Sequence, residues 1–179
     1  MPFLLRSQGF QSVVDVFMRD PKRYLPYAQF IAAVMSEESD LSRVERESIA
    51  LYVSGLNECG YCVGSHQAVL RGLGADAAVA PLEQASARMR PVLDFARKLT
   101  LTPGAIDQAD IDTVRAAGWS EQAVEDIVNV VSLFASLNRL VDGLGIAGSP
   151  AVFEKSGPMI AQHGYGPLAQ ALDQKAGAA

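Results

Sequence analysis

Apolar positions recur every three or four residues along most of the chain, and no run alternates as a half-buried strand would. Pro21 opens one such stretch, with Tyr24, Tyr27, Phe30, Ile31 and Val34 on a common face. Ser42 precedes the next. Glu45, three residues on, completes a capping box, so a helix is predicted from there to about Asn57. Gly60 marks a tight break, and a second helix is expected to about Arg71, stopped by Gly72 and Gly74. Further helices are predicted over about 86–101 (kinked or restarted at Pro91), 107–117 and 120–140. In the last of these, Ala123, Val124, Ile127, Val128, Val131, Phe134 and Ala135 make a broad apolar face, more than one small domain easily buries, which points to a homo-oligomer.

The texture changes after Ala147, where Gly148, Pro150, Gly157, Pro158, Gly164, Gly166 and Pro167 punctuate short apolar pieces. The expected organisation is one all-α domain over residues 1–150, followed by a C-terminal arm over 151–179. Such an arm either packs over the domain or reaches a neighbouring subunit.

Size and charge narrow the function. A chain of 179 residues can bury roughly 70% of the surface its unfolded form exposes, so no disulfide framework is needed for a core. The formal net charge of -5 argues against a nucleic-acid footprint. The start, Met1-Pro2-Phe3-Leu4-Leu5-Arg6, lacks a basic leader. The apolar stretch over 127–137 is interrupted by Asn129, Ser132 and Ser136 and falls short of the ~20 residues of a membrane span. A soluble cytoplasmic protein is the expectation, with neither nucleic acid nor membrane as partner.

Chemistry concentrates in one place. The two cysteines of the chain are Cys59 and Cys62, and one of its two histidines, His66, follows four residues later. Two cysteines placed at random would fall three apart roughly once in 90 trials, so the spacing points to a working pair. In a helix beginning near Cys59, a turn of about 100° per residue brings Cys62 and His66 onto one face. At a helix N-terminus, free backbone N–H groups and the dipole favour an anion, so a stabilised thiolate is expected. Cys59, at the helix entrance, is expected to lie nearer solvent. If the two helices of the hairpin run antiparallel, Glu47 comes level with His66. An inward carboxylate needs a partner, so Glu47, His66 and the thiols could form one proton-transfer chain. On its own, Glu47 would instead suit a surface ion pair with Arg43, one turn away.

Glu47, eleven intervening residues, Cys59-x-x-Cys62, three more and His66 resemble the signature of alkylhydroperoxidase D-like proteins of the carboxymuconolactone decarboxylase superfamily. The flanks Arg43-Val44-Glu45-Arg46-Glu47 and Asn57-Glu58-Cys59-Gly60-Tyr61-Cys62-Val63-Gly64-Ser65-His66 look like its peroxidase-related branch, as does Phe134-Ala135-Ser136-Leu137-Asn138-Arg139-Leu140. The resemblance spans roughly residues 10–150. It implies an all-helical fold with a helical hairpin carrying the C-x-x-C motif, a homo-oligomer (a trimer or hexamer) and a peroxide-reducing dithiol. It further implies that Cys62 takes the peroxide oxygen and Cys59 resolves it, with Glu47 and His66 as the proton relay. The best-studied branch has a histidine inside the C-x-x-C where this chain has Tyr61. Decarboxylases of the superfamily lack the cysteine pair, so that activity is not implied.

The expected activity is thiol-dependent reduction of a hydroperoxide substrate, with no metal, flavin or haem cofactor. An external dithiol, a lipoyl group or a thioredoxin-like protein would return the electrons. Two alternatives stay open from the residues alone. One is a disulfide reductase or adaptor passing electrons to a partner; the other is a non-redox oligomer, either structural or binding zinc through Cys59, Cys62, His66 and Glu47.

Overall fold

The computed structural model describes residues 2–75 and 85–178. Within them the regular structure is helical: α1 (Val13–Arg19), α2 (Pro21–Ser36), α3 (Arg43–Leu56), α4 (Gly60–Gly72), α5 (Arg90–Leu101), α6 (Gln108–Ala116), α7 (Glu121–Leu144), α8 (Pro150–His163) and α9 (Gly166–Gly177). Short 3-10 turns at Leu5–Ser7 and Pro103–Ala105 complete it. The all-α expectation holds.

Helix starts follow side-chain chemistry. Ser42 Oγ accepts the Glu45 N–H while the Glu45 carboxylate accepts the Ser42 N–H, so the capping box is closed. Asp107 and Asp110 make the same reciprocal arrangement at α6, and Ser120 Oγ accepts the Ala123 N–H at α7. The expected helix over 86–101 begins at Arg90, putting Pro91 in the first turn where its missing N–H costs nothing. Helix α7 runs beyond the expected 140 to Leu144, because Val141 continues the buried face. Gly145, at φ +69°, then ends it.

Helix α7 is the axis of the core. It buries Ile127, Val130, Val131, Leu133, Phe134, Leu137 and Val141 against α2, α3, α5 and α6. By length and composition alone α7 could cross a membrane, but its apolar face is consumed inside its own chain. The breadth of that face is therefore no argument for a second subunit.

The segment expected as an arm is a pair of helices laid back on the domain, α8 on α4 and α9 on α2 and α1. Pro150 and Pro167 sit in first turns, where proline is tolerated, so they open helices here rather than ending them. Pro158 lies inside α8 and Pro26 inside α2. The α4–α8 contact is close because small residues alternate with larger ones one turn apart. A Cβ on Gly64 would lie 2.5 Å from Phe153, one on Gly72 would lie 2.6 Å from Ala161 Cβ, and one on Gly157 would lie 2.6 Å from Ala68 Cβ. This seam brings α8, and the turn after it, over the thiol-bearing helix.

Candidate active site

The α3–α4 turn places the cysteines. Glu58 adopts the left-handed conformation (φ 57°), its N–H bonding Gly55 O at 3.1 Å and the Cys59 N–H bonding Ser54 O at 3.0 Å. These paired bonds form a Schellman closure, with glutamate where glycine is usual. Cys59 is thereby the N-cap of α4, and Cys62 follows one turn inside. Both thiols are free, and their side chains hydrogen-bond to each other.

Cys59 is 0% exposed and Cys62 2% exposed. Cys59 is therefore not the more solvent-facing thiol that its place at the helix entrance suggested: the Schellman turn folds the entrance into the core. A second expectation changes as well. The Cys62 thiol is pushed well above the usual thiol range, first by its hydrogen bond with Cys59, then by burial and by the Cys59 charge. A hydrogen bond from Asn138 works in the opposite direction. Proximity and burial outweigh the helix N-terminus, so ionising Cys62 calls for a base.

Glu47 and His66 pair on the same helical hairpin that carries the thiols. Both are 2% exposed, and Glu47 Oε2 lies 2.7 Å from His66 Nδ1. The antiparallel hairpin levels them as expected. With Nδ1–H donating to the carboxylate, Nε2 is left as the acceptor, a tautomer assigned from the hydrogen bond. Phe134 sets the imidazole plane edge-to-face at 4.4 Å between centroids. Arg43 does not pair with Glu47; its guanidinium donates to Ala161 O at 2.8 Å and Ile160 O at 2.6 Å, closing the C-terminus of α8.

Two further side chains belong to the constellation. Asn138, 1% exposed, donates to Ser54 Oγ at 3.1 Å and accepts from Asn57 Nδ2 at 2.9 Å, besides bonding Cys62. Its contact with the thiol carried no sequence signal. Tyr165 was not foreseen. From the α8–α9 turn its hydroxyl donates to Glu47 Oε1 at 2.9 Å. Burial, and then the nearby Glu47 charge, raise the phenol well above its usual range and keep it a donor. Glu47 therefore receives one partner on each oxygen.

A cleft of about 860 Å³ opens onto this cluster between α1, α4, α8 and α9. Cys62, His66, Phe134 and Leu137 line its inner part, Val14, Met159 and Leu168 its apolar walls. Cys62, rather than Cys59, faces this space. Tyr61, at the position of the family's motif histidine, forms a wall instead: its hydroxyl accepts the Val13 N–H at 3.2 Å and its ring meets Phe153 edge-on at 5.5 Å. His163 is exposed at the rim. Among the described residues, no three His, Cys, Asp or Glu side chains are grouped as metal ligands would be.

An all-helical hairpin fold with a buried dithiol beside a Glu–His pair defines an AhpD-like protein. The carboxymuconolactone decarboxylase family matches residues 24–101. The fold is similar to an uncharacterized peroxidase-related protein from Silicibacter sp. TM1040, at 30% identity and a TM-score of 0.71, covering 79% of this chain and 78% of that one. It is also similar to an uncharacterized peroxidase-related protein from Ralstonia eutropha JMP134, described as an alkylhydroperoxidase AhpD core, at 28% identity and a TM-score of 0.70, over 77% and 76% of the two chains. No curated protein matches. The chain belongs to the carboxymuconolactone decarboxylase family, and its structural relatives are AhpD-like peroxidase-related proteins.

Proposed function

We propose that this protein is a cytoplasmic thiol peroxidase that reduces organic hydroperoxides through Cys62 and Cys59. The observation that carries the proposal is the arrangement of the thiols: Cys62 faces a largely apolar cleft, and Cys59 is hydrogen-bonded to it from the buried side. His66 Nε2, oriented through Nδ1 by Glu47, takes the Cys62 proton. The thiolate attacks the distal peroxide oxygen; the O–O bond breaks, Cys62 becomes a sulfenic acid and the alkoxide leaves as an alcohol with the relayed proton. Cys59 then displaces water from the sulfenic sulfur, forming the disulfide. Two electrons from an external dithiol, a lipoyl group or a thioredoxin-like protein, return both thiols by exchange.

The apolar lining and volume of the cleft suit a hydroperoxide with a hydrocarbon body better than hydrogen peroxide. The exposed apolar residues Phe3 (73%) and Leu5 (83%) favour assembly into a homo-oligomer, a trimer or hexamer; light scattering giving the 19.1 kDa monomer at micromolar concentration would overturn that part.

The deciding experiment follows cumene hydroperoxide consumption with dithiothreitol as reductant. Cys62→Ser abolishes consumption and sulfenic-acid labelling together. Cys59→Ser blocks the internal disulfide and leaves a trapped sulfenic acid on Cys62. Glu47→Gln slows oxidation of Cys62 by ~10²–10⁴-fold in folded protein. Activity retained in both serine variants overturns the dithiol mechanism. Peroxide labelling of Cys59 in Cys62→Ser, with activity kept, reverses the two roles.

A further inference from the structure

Glu47 is a nearly fully buried carboxylate whose two oxygens are filled from two different parts of the chain. His66 on α4 takes Oε2 at 2.7 Å, and Tyr165 in the α8–α9 turn takes Oε1 at 2.9 Å. A carboxylate held at one oxygen still rotates about its last bond. Held at both, it keeps one orientation, and with it the tautomer of the imidazole it contacts. We infer that Tyr165 is a positioning residue for the proton relay, its hydroxyl fixing Glu47 so that His66 presents Nε2 to Cys62. The inference rests on the peroxidase proposal for what the relay serves, but not for the relay geometry itself.

The means by which Tyr165 is placed support this role. Its N–H donates to Ser36 Oγ at 2.9 Å. Gly164, immediately before it, has φ +68°, and a Cβ there would lie 2.7 Å from the same Ser36 Oγ. Arg43, one turn before Glu47 on α3, holds the last carbonyls of α8. Three separate contacts, to α2 and α3, thus fix a turn whose tyrosine delivers one hydroxyl to one oxygen. Simple filling of the cleft wall requires no hydroxyl at all.

The consequence is readable in pH dependence. The charged and titratable groups around Glu47 and Cys62 are Arg43 and Arg46 on α3, His66 and Tyr61 on α4 with Cys59 at its start, Tyr27 on α2, and Tyr165; α7 adds Asp126, which acts on Arg46, and Asp142, which acts on Cys62. Of these, Tyr165→Phe deletes only the neutral donor on Oε1. Without it Glu47 turns freely, His66 no longer holds Nε2 toward Cys62, and removal of the Cys62 proton is left to solvent hydroxide, so alkylation of Cys62 calls for higher pH. A merely structural tyrosine would change melting temperature without moving that limb.

The test follows alkylation of Cys62 by iodoacetamide against pH, read by mass spectrometry in the full chain, alongside cumene hydroperoxide turnover. In Tyr165→Phe the acid limb moves up by about one pH unit, so alkylation falls about tenfold on the limb and recovers as pH rises. In a Glu47→Gln background the same substitution adds no further shift. Ser36→Ala, which frees the Tyr165 main chain, moves the limb in the same direction. A limb that is unmoved or lowered in both Tyr165→Phe and Ser36→Ala overturns the inference, as does a shift of full size in the Glu47→Gln background. A wild-type protein that does not turn over peroxide, while Tyr165→Phe still shows the shifted alkylation limb, defeats the peroxidase proposal and leaves the positioning role standing.

Discussion

Asn138 donates its side-chain amide to Ser54 Oγ at 3.1 Å, tying the central helix α7 to the residue whose carbonyl also holds the Cys59 N–H. The same side chain accepts from Asn57 and bonds the Cys62 sulfur. One buried amide therefore links both ends of the α3–α4 turn to the thiol.

Replacing Asn138 with alanine is expected to have two separable effects. Ser54 and Asn57 lose a buried partner, which costs about 1–3 kcal/mol in a denaturant melt. The amide lowers the proton affinity of the Cys62 thiol, so its loss raises that affinity further. At any pH below the thiol range, Cys62 alkylation in Asn138→Ala is then slower than in the parent. Alkylation at the parent rate in the folded variant would remove Asn138 from the site.

Gly157 and Ala68 make the second test. A Cβ on Gly157 would meet Ala68 Cβ at 2.6 Å and Ala68 main-chain atoms at 2.7 and 2.8 Å, contacts that no rotamer change relieves. Alanine is the better helix former by about 1 kcal/mol, so propensity alone predicts a stabilised Gly157→Ala protein. Overpacking at a backbone contact outweighs that gain, and a net loss of about 1–3 kcal/mol is expected. Because α8 leads into Tyr165, the variant is also expected to lose peroxide turnover. Gly104→Ala, where an added Cβ meets nothing within 4 Å, serves as the control and stays within about 0.5 kcal/mol of the parent.

The legible and illegible parts of the site divide along this same seam. Ser42 with Glu45 announces α3, and the spacing from Glu47 to His66 places both on one antiparallel hairpin, because capping and helical period act within a few residues. Tyr165 lies 118 residues from its carboxylate, and no local period connects them. Helices α8 and α9 were hidden by Pro150, Pro158, Gly164, Gly166 and Pro167, which read as breakers unless first-turn positions are known. In retrospect Gly64, Ala68 and Gly72, and facing them Gly157 and Ala161, repeat every four residues; that stripe was the available sign of close helix packing. The buried entrance of α4 was obscured for a different reason. Glu58 occupies a left-handed position that glycine would have advertised.

Tyr61 provides the last prediction, on stability against pH. Its phenol is raised from 10.0 to about 12, chiefly by burial, with the Val13 N–H opposing and the nearby Cys62 adding to the rise. The folded value lies above the unfolded one, so the contribution is fully present below pH 10 and is lost as pH rises through about 12. In that window the unfolded chain releases the proton and the folded chain keeps it, and stability falls with rising pH. The loss amounts to about 1.4 kcal/mol by pH 11. Tyr165 and Cys62, raised in the same direction, steepen the wild-type fall. Tyr61→Phe leaves the Val13 N–H without its acceptor and is expected to cost about 1 kcal/mol at pH 8. It also removes the Tyr61 share of the alkaline loss, so the two urea-denaturation curves converge by pH 11. Parallel curves from pH 8 to pH 11 would show that Tyr61 ionises as freely in the folded chain as in the unfolded one.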